Sequence, residues 1–249
     1  MKIHENIKIT KKGFEESFSE ENYYNKQTRD DKHLELLLNL LKSKPKDTIL
    51  DLGTGTGYIA FPLAENNKDV NVIGLDIVTE ILEENKKKAI EKGIHNLKFI
   101  SYDGEKFPFQ DESIDIIISR YALHHFPDIQ NSFAEMYRIL KPNGKLIISD
   151  PSPNDNDKYG FVDKYMQMKQ DGHIKFYSLC EYKKMLNELN FKFLSNEITT
   201  IRFPRKEAEK YEGILLEEDD SVISGYDIEL VNDEIWITEQ VLNMTFIKE

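Results

Sequence analysis

The stretch Ile49-Leu50-Asp51-Leu52-Gly53-Thr54-Gly55-Thr56-Gly57 constrains this chain more than any other. Its first residues read as a short buried strand that runs straight into Gly53, Gly55 and Gly57. Each glycine costs backbone entropy on folding, so this density marks a loop that needs bare backbone rather than an ordinary turn. A second strand, Val70-Asn71-Val72-Ile73-Gly74-Leu75-Asp76, follows and ends on an acid. Strand, glycine loop and a second strand with a terminal acid describe a nucleotide pocket at the C-terminal edge of a parallel sheet.

The glycine spacing discriminates between ligands. A dinucleotide fingerprint needs glycine at position 58, where this chain has Tyr58. A side chain there crowds the approach of a pyrophosphate to the helix N-terminus. Asp51, just before the loop, repels phosphate but suits an ammonium or sulfonium group. Asp76 suits both hydroxyls of a ribose in either case. No Gly-Lys-Ser/Thr follows the loop, so a P-loop is excluded.

Around this pocket, strands alternate with helices. Strands are predicted at 48–52, 70–76, 97–102, 114–119 and 145–149, with helices at 57–66, 79–92 and 128–140. Such alternation implies an α/β fold, a parallel sheet with helices on both faces. Pro62 predicts a kink in the first of these helices, and Gly93 stops the second. An earlier helix over 27–43 carries Leu34, Leu37, Leu38 and Leu41 at helical spacing, with Thr28 and Asp31 as its starting pair and Pro45 at its end. After Asp150, a loop at 151–157 leads to helices near 158–170 and 179–189. Ser178 and Glu181 form a capping box for the latter. Strands are expected at 191–203 and 234–247, the last ending the sheet. Residues 204–233 are expected to pack over the site or form an interface.

Several motifs fall in the order of a known family. They are Asp51 to Gly57, Asp76, Asp103-Gly104, Phe107-Pro108-Phe109, Ser113 to Ile116, Ser119 to Phe126, and Leu140 to Lys145. The segment from Thr48 to Asp150 resembles a class I S-adenosylmethionine-dependent methyltransferase, of the methyltransferase type 11 subgroup that includes menaquinone and ubiquinone biosynthesis enzymes. The resemblance covers the first 46 residues and the part after Asp150 only loosely. It implies a Rossmann-like, seven-stranded, mostly parallel sheet in which the C-terminal strand pair runs antiparallel to its neighbours. It also implies one domain over 1–249: a helical cap at 1–46, a cofactor-binding core at 47–150, and a substrate-covering segment with the last strands at 151–249.

The resemblance makes S-adenosylmethionine the donor and S-adenosylhomocysteine the product. It places Asp103 on the adenine amino group with Gly104 alongside, and backbone at Arg120 and Tyr121 on the methionine part. Ile77 would flank the adenine. Tyr23 and Tyr24 lie in a segment that folds over the cofactor in related enzymes, and Tyr24 is the candidate for its carboxylate. Alternatives stay open. Asp51 equally serves as a structural acid holding loop amides, and Asp103-Gly104 equally makes a turn. Tyr121 offers a ring face to a sulfonium or packs. Arg120 meets an anionic substrate or pairs internally.

A base is needed only where the acceptor must lose a proton. His124, His125 and His173 are the candidates, since imidazole titrates near neutrality. Packing is the bland alternative for at least one of the adjacent pair, and their spacing with no matching Cys/His set argues against a metal. Cys180 is expected to be packed. The net charge of −12 disfavours nucleic acid, whose phosphates need cations, and favours a small-molecule acceptor. The single cysteine points to a reducing compartment, by default the cytoplasm. No apolar run approaches the ~18 residues of a membrane span, and the N-terminus lacks a signal core. Oligomeric state is left open. The rival functions are an NAD(P)-dependent oxidoreductase and a non-catalytic module that only binds S-adenosylmethionine.

Overall fold

The computed structural model describes residues 2–19, 29–169, 171–206 and 208–249. Tyr23, Tyr24 and Thr28 lie outside them. Two helices, α1 (Lys2–Ser19) and α2 (Asp31–Leu41), precede the sheet. Then follow β1 (Thr48–Leu52), α3 (Ala60–Asn66), β2 (Asn71–Asp76), α4 (Thr79–Glu91), β3 (Leu97–Ser101), β4 (Ile114–Arg120), α5 (Ile129–Ile139) and β5 (Leu140–Ser152). The C-terminal part is α6 (Phe161–Gln167), α7 (Leu179–Asn187), β6 (Phe191–Arg205), α8 (Glu209–Leu216), α9 (Asp220–Gly225), β7 (Glu229–Val231) and β8 (Glu234–Lys248).

The strands form one mixed sheet in the order β3-β2-β1-β4-β5-β8-β6, with the short β7 paired to β8. β1 to β5 run parallel. β8 is antiparallel to both β5 and β6. β8 is the antiparallel C-terminal strand that the resemblance implies. One expectation is corrected: β8 does not end the sheet but inserts between β5 and β6. Long-range pairing sets strand order, and periodicity carries no information on it.

Alternating strand residues supply two apolar layers. Ile49, Val72, Phe99 and Ile118 pack against Leu37 and Leu41 of α2, Phe61 and Leu63 of α3 and Leu82 of α4. Leu50, Leu75, Ile117 and Ile148 pack on the other face, with Phe133 and Met136 of α5 and Tyr182 and Leu186 of α7. Burying each such side chain contributes roughly 1.5–3 kcal/mol, which outweighs the helix propensities involved. A third cluster, around Phe161, Tyr165, Phe176, Phe203, Tyr226 and Ile237, ties α6, α8 and α9 to the ends of β6 and β8. Residues 204–233, expected to cover the site or form an interface, thus pack mainly in this third cluster.

Local chemistry explains several boundaries. α2 is capped by Asp30, whose carboxylate accepts from the Lys32 and His33 amides. Asp31 is the first helical residue rather than part of the cap. The capping box of Ser178 and Glu181 starts α7 as expected. Pro62 falls in the first turn of α3, where an amide has no intrahelical partner, so it demands no kink. Cys180 is exposed, contrary to expectation, because α7 buries the face of Tyr182 and Leu186 instead.

Candidate active site

The loop after β1 is held open by backbone. The Gly53 and Thr54 amides donate to the Leu75 carbonyl at 2.8 and 3.1 Å. Gly53 sits at φ +72, and a Cβ there would lie 2.4 Å from the Ala122 Cβ. Gly57, at φ +76, would drive a Cβ to 2.5 Å from the Phe61 ring. Both strain and space therefore demand glycine. Asp51 is buried beneath them. Its Oδ2 accepts from Thr54 Oγ1 at 2.7 Å and from the Ala60 amide at 3.1 Å. It straps the loop to the start of α3, and burial pushes its carboxyl up to about 7.

Asp76 ends β2. Its Oδ2 accepts from the Gly55 amide at 2.8 Å and its Oδ1 from the Val78 amide at 3.0 Å. Burial raises its carboxyl above the usual range. Each oxygen keeps a second lone pair, and Asp76 lines the cavity together with Asp51, Gly53, Gly55, Ile77, Tyr102 and Gly104. Asp103 does not line it. That residue is exposed, and its Oδ1 closes a turn by accepting from the Glu105 and Lys106 amides, which hold its carboxyl low. Ile7 of α1 covers Gly104, so a helix outside the sheet closes this end.

At the end of β4 the Arg120 guanidinium lies between two rings, 4.2 Å from the Tyr58 centroid and 3.9 Å from that of Tyr121. Tyr121 adopts the left-handed φ of +53, unusual for an aromatic residue. Its hydroxyl meets His33 Nδ1 at 3.3 Å, and His33 Nε2 meets Asn243 Oδ1 at 2.9 Å. Ser149 Oγ completes this polar chain, donating to Asn243 Oδ1 at 2.8 Å. Burial keeps His33 below its ordinary value.

The three candidate bases cluster, with ring centroids of His124 and His125 4.3 Å apart and those of His124 and His173 5.4 Å apart. His124 Nδ1 lies 2.9 Å from Asp150 Oδ1, and Tyr182 donates its hydroxyl to Asp150 Oδ2 at 3.0 Å. Burial drives His124 well down and Asp150 up to about 7, so the pair is held neutral. His125 is pushed down to about 3 by burial, with Phe14 of α1 packed edge-on against its ring. His173 Nε2 meets Asp163 Oδ1 at 2.8 Å. It lines a separate cleft beneath α1 rather than the cavity of the glycine loop. Gly57 is also outside that cavity; Arg120, Tyr121, His124 and His125 line it.

The cavity continues past Tyr121 into a chamber walled by Pro151, Met166, Phe176, Ile201 and Phe203, with Arg205 and Glu239 among its lining residues. Sequence reasoning missed Arg205, Glu239 and His33. Glu239 had a readable signal. In Ile235-Trp236-Ile237-Thr238-Glu239-Gln240-Val241 it falls on the same alternate positions as three buried apolar residues. Among the described residues, no group of three or more His, Cys, Asp or Glu is placed to hold a metal ion. None of their helices is long and apolar enough to cross a membrane.

Comparison with known proteins agrees with this geometry. A family profile described as a methyltransferase domain matches residues 43–217. The chain is 32% identical over 155 residues to the uncharacterized methyltransferase YcgJ of Bacillus subtilis (strain 168), covering 62% of this chain and 60% of that one. It is 39% identical over 104 residues to the ubiquinone/menaquinone biosynthesis C-methyltransferase UbiE of Rickettsia prowazekii (strain Madrid E), covering 40% of this chain and 42% of that one. Both matches thus span less than two thirds of the relatives' own lengths. The YcgJ crystal structure superposes with a TM-score of 0.75 at 25% identity, over 88% of this chain and 99% of that one. A Bacillus halodurans C-125 protein superposes with a TM-score of 0.77 at 23% identity, over 86% of this chain and 98% of that one, a likeness of fold. The chain belongs to the methyltransferase domain family.

Proposed function

We propose that this chain transfers the methyl group of S-adenosylmethionine to a small-molecule acceptor. The observation that carries the reading is one continuous cavity. It runs from the Gly53–Gly55 loop and Asp76 to an apolar chamber enclosed by Phe176, Ile201 and Phe203, with Ile7, Thr10 and Phe14 of α1 along it. A ligand with a ribose at one end and a reactive cation at the other fits this wall. Asp76 faces the ribose end, and the buried carboxyl of Asp51 and the Tyr121 ring lie toward the cation. The relatives named as quinone C-methyltransferases support a small acceptor, as does the net charge of −12, which disfavours nucleic acid. The cytoplasm is the proposed compartment, on the strength of the one, unpaired cysteine.

S-adenosylmethionine, when bound, supplies an electrophilic methyl group on a sulfonium and leaves as S-adenosylhomocysteine. The residues around it orient and exclude water. Asp76 accepts from the ribose hydroxyls while keeping the Gly55 amide in place. Ile77 and Tyr102 flank the adenine. Gly53 and Gly55 let backbone approach the amino-acid end, beside Arg120 and Tyr121. α1 lines one side of this cavity, where it would help shield the donor methyl from water and align an acceptor.

Calorimetry with S-adenosylhomocysteine and with NAD tests the reading directly. Heat with the first and none with the second is expected, and the converse would make the chain an oxidoreductase. Incubation of the protein with tritiated S-adenosylmethionine and a small-metabolite extract then separates an enzyme from a binding module, because only an enzyme labels a metabolite.

A further inference from the structure

Glu239 is fully buried, and neither of its carboxylate oxygens has a hydrogen-bond partner. Such a group is costly unless something else meets it. Its position in the sheet shows what could. Pairing of β5 with β8 stops at Ser152 and Gln240, whereas pairing of β6 with β8 continues to Arg205 and Ile235. The ends of β6 and β8 therefore project as an arm beyond the C-terminal edge of β5, with the short β7 paired to its far end. Glu239, opposite Ile201, is the first residue of β8 on that arm. It lines the same cavity as Gly53 and Tyr121.

Resting on the methyl-transfer reading above, we propose that Glu239 is a catalytic residue that accepts the proton of an acceptor carrying a weakly acidic O–H or N–H. In that step the acceptor's X–H bond breaks and its proton goes to a Glu239 oxygen. The freed electron pair forms the X–C bond to the donor methyl. The C–S bond breaks with its pair returning to sulfur, so the cationic sulfonium becomes a neutral thioether and charge balances. The three histidines are less suited, because His173 lies outside this cavity and burial lowers His124 and His125 so far that their imidazoles are weak bases near neutrality.

The groups that act on Glu239 come from several elements. Arg205 of β6 favours its charge, while Asp150 of β5 and Asp163 of α6 oppose it. Tyr121 after β4 and Tyr226 after α9 also feel it. Lys169 and Asp171 line the same cavity and pair with each other at 3.0 Å. Burial outweighs the Arg205 attraction and sets the carboxyl at about 8. A base so placed is half ionised just above neutrality, which matches proton transfer from a weak acid.

The test uses protein loaded with S-adenosylhomocysteine and the probe 4-methylphenol, with affinity read by calorimetry from about pH 6 to about pH 9. The ionised carboxylate accepts the phenolic hydrogen much more strongly than the protonated carboxyl does, so affinity should rise roughly tenfold as pH climbs through the Glu239 value. Glu239→Gln should weaken the probe about tenfold at high pH and leave its affinity flat in pH. S-adenosylhomocysteine binding should be maintained in this isosteric variant, as should its melting temperature in mild acid. Labelled transfer from S-adenosylmethionine to the phenol should rise over the same pH range and drop about a hundredfold or more in the variant. The proposal is overturned if loaded wild-type protein does not bind the phenol, if its affinity is flat in pH, or if the variant behaves as wild type. Failure to load S-adenosylhomocysteine at all strikes the methyl-transfer reading instead.

Discussion

Asp76 is asked to do two things, so its loss should act twice. It holds the Gly55 and Val78 amides and offers its remaining lone pairs to the cavity. Hydrogen bonds to a charged group contribute roughly 1.5–3 kcal/mol each. Asp76→Ala should therefore weaken S-adenosylhomocysteine at least about tenfold by calorimetry, with Asp76→Asn, which keeps one acceptor, falling between. An unchanged dissociation constant in a folded variant would put the ribose elsewhere. Gly53 and Gly93 give a contrast in stability. Both have positive φ, but a Cβ at Gly53 meets Ala122 at 2.4 Å and one at Gly93 meets nothing within 4 Å. Gly93→Ala should cost about 1 kcal/mol in urea unfolding, and Gly53→Ala roughly 1–3 kcal/mol more. Equal losses would mean that Ala122 yields freely. Much of this loop was legible in the sequence, because glycine and strand-end acids announce themselves locally. His33 was not. Its partners are Tyr121, Ser149 and Asn243, brought together only by the fold.

Among the elements, α1 falls within the helical cap expected over 1–46, but no motif marked which of its residues meet the cavity. Its Ile7, Thr10 and Phe14 line the cavity, and Gly13 lets it approach the 171–172 turn. A Cβ on Gly13 would lie 2.7 Å from the Asp171 Cα, which is backbone and cannot swing aside. Gly13→Ala gains about 1 kcal/mol of helix propensity but meets an overpacking cost of roughly 1–3 kcal/mol, so the clash should win. The expected result is faster proteolysis within α1 and several-fold weaker S-adenosylhomocysteine binding. Unchanged proteolysis and affinity would show that α1 does not need this close approach. Its amphipathic pattern was readable only as part of a helical cap, since a helix's period says nothing of what it covers. The βα alternation from β1 to β5 was legible because each strand and helix is bounded by its own signals. The place of β8 was not, because it depends on two pairings that join residues 30 to 102 positions apart in the chain, as with Arg205 to Ile235 and Lys145 to Ile247.

The molecule as a whole buries an unusual set of titratable groups, and their balance predicts how stability follows pH. Burial lifts Asp51 and Asp150 to about 7 and Glu239 to about 8, and raises Asp76 as well. Their folded values exceed the unfolded ones, near 4. Their contribution is therefore fully present below about pH 4 and is lost as pH rises through about 7 to 8. The histidines have the opposite sign. Burial lowers His33 and His124, and brings His125 to about 3. Their contribution is present above the unfolded value of about 6.5 and is lost as pH falls toward the folded ones. From about pH 6.5 down to about pH 4 the folded acids and the unfolded histidines each hold protons, and the two slopes nearly cancel. Above about pH 6.5 only the acids remain, each giving a slope of up to about 1.4 kcal/mol per pH unit. The growing negative charge of a chain with pI near 5.1 adds repulsion in the same direction. Melting temperature should hence be nearly level in mild acid and fall steadily from about pH 7 to about pH 9. Glu239→Gln, which removes one ionising group, should melt higher than wild type at the alkaline end and converge with it in mild acid. A wild-type melting temperature that climbs across that alkaline range would show that these carboxyls are already ionised in the folded state, stabilised by contacts other than those described above.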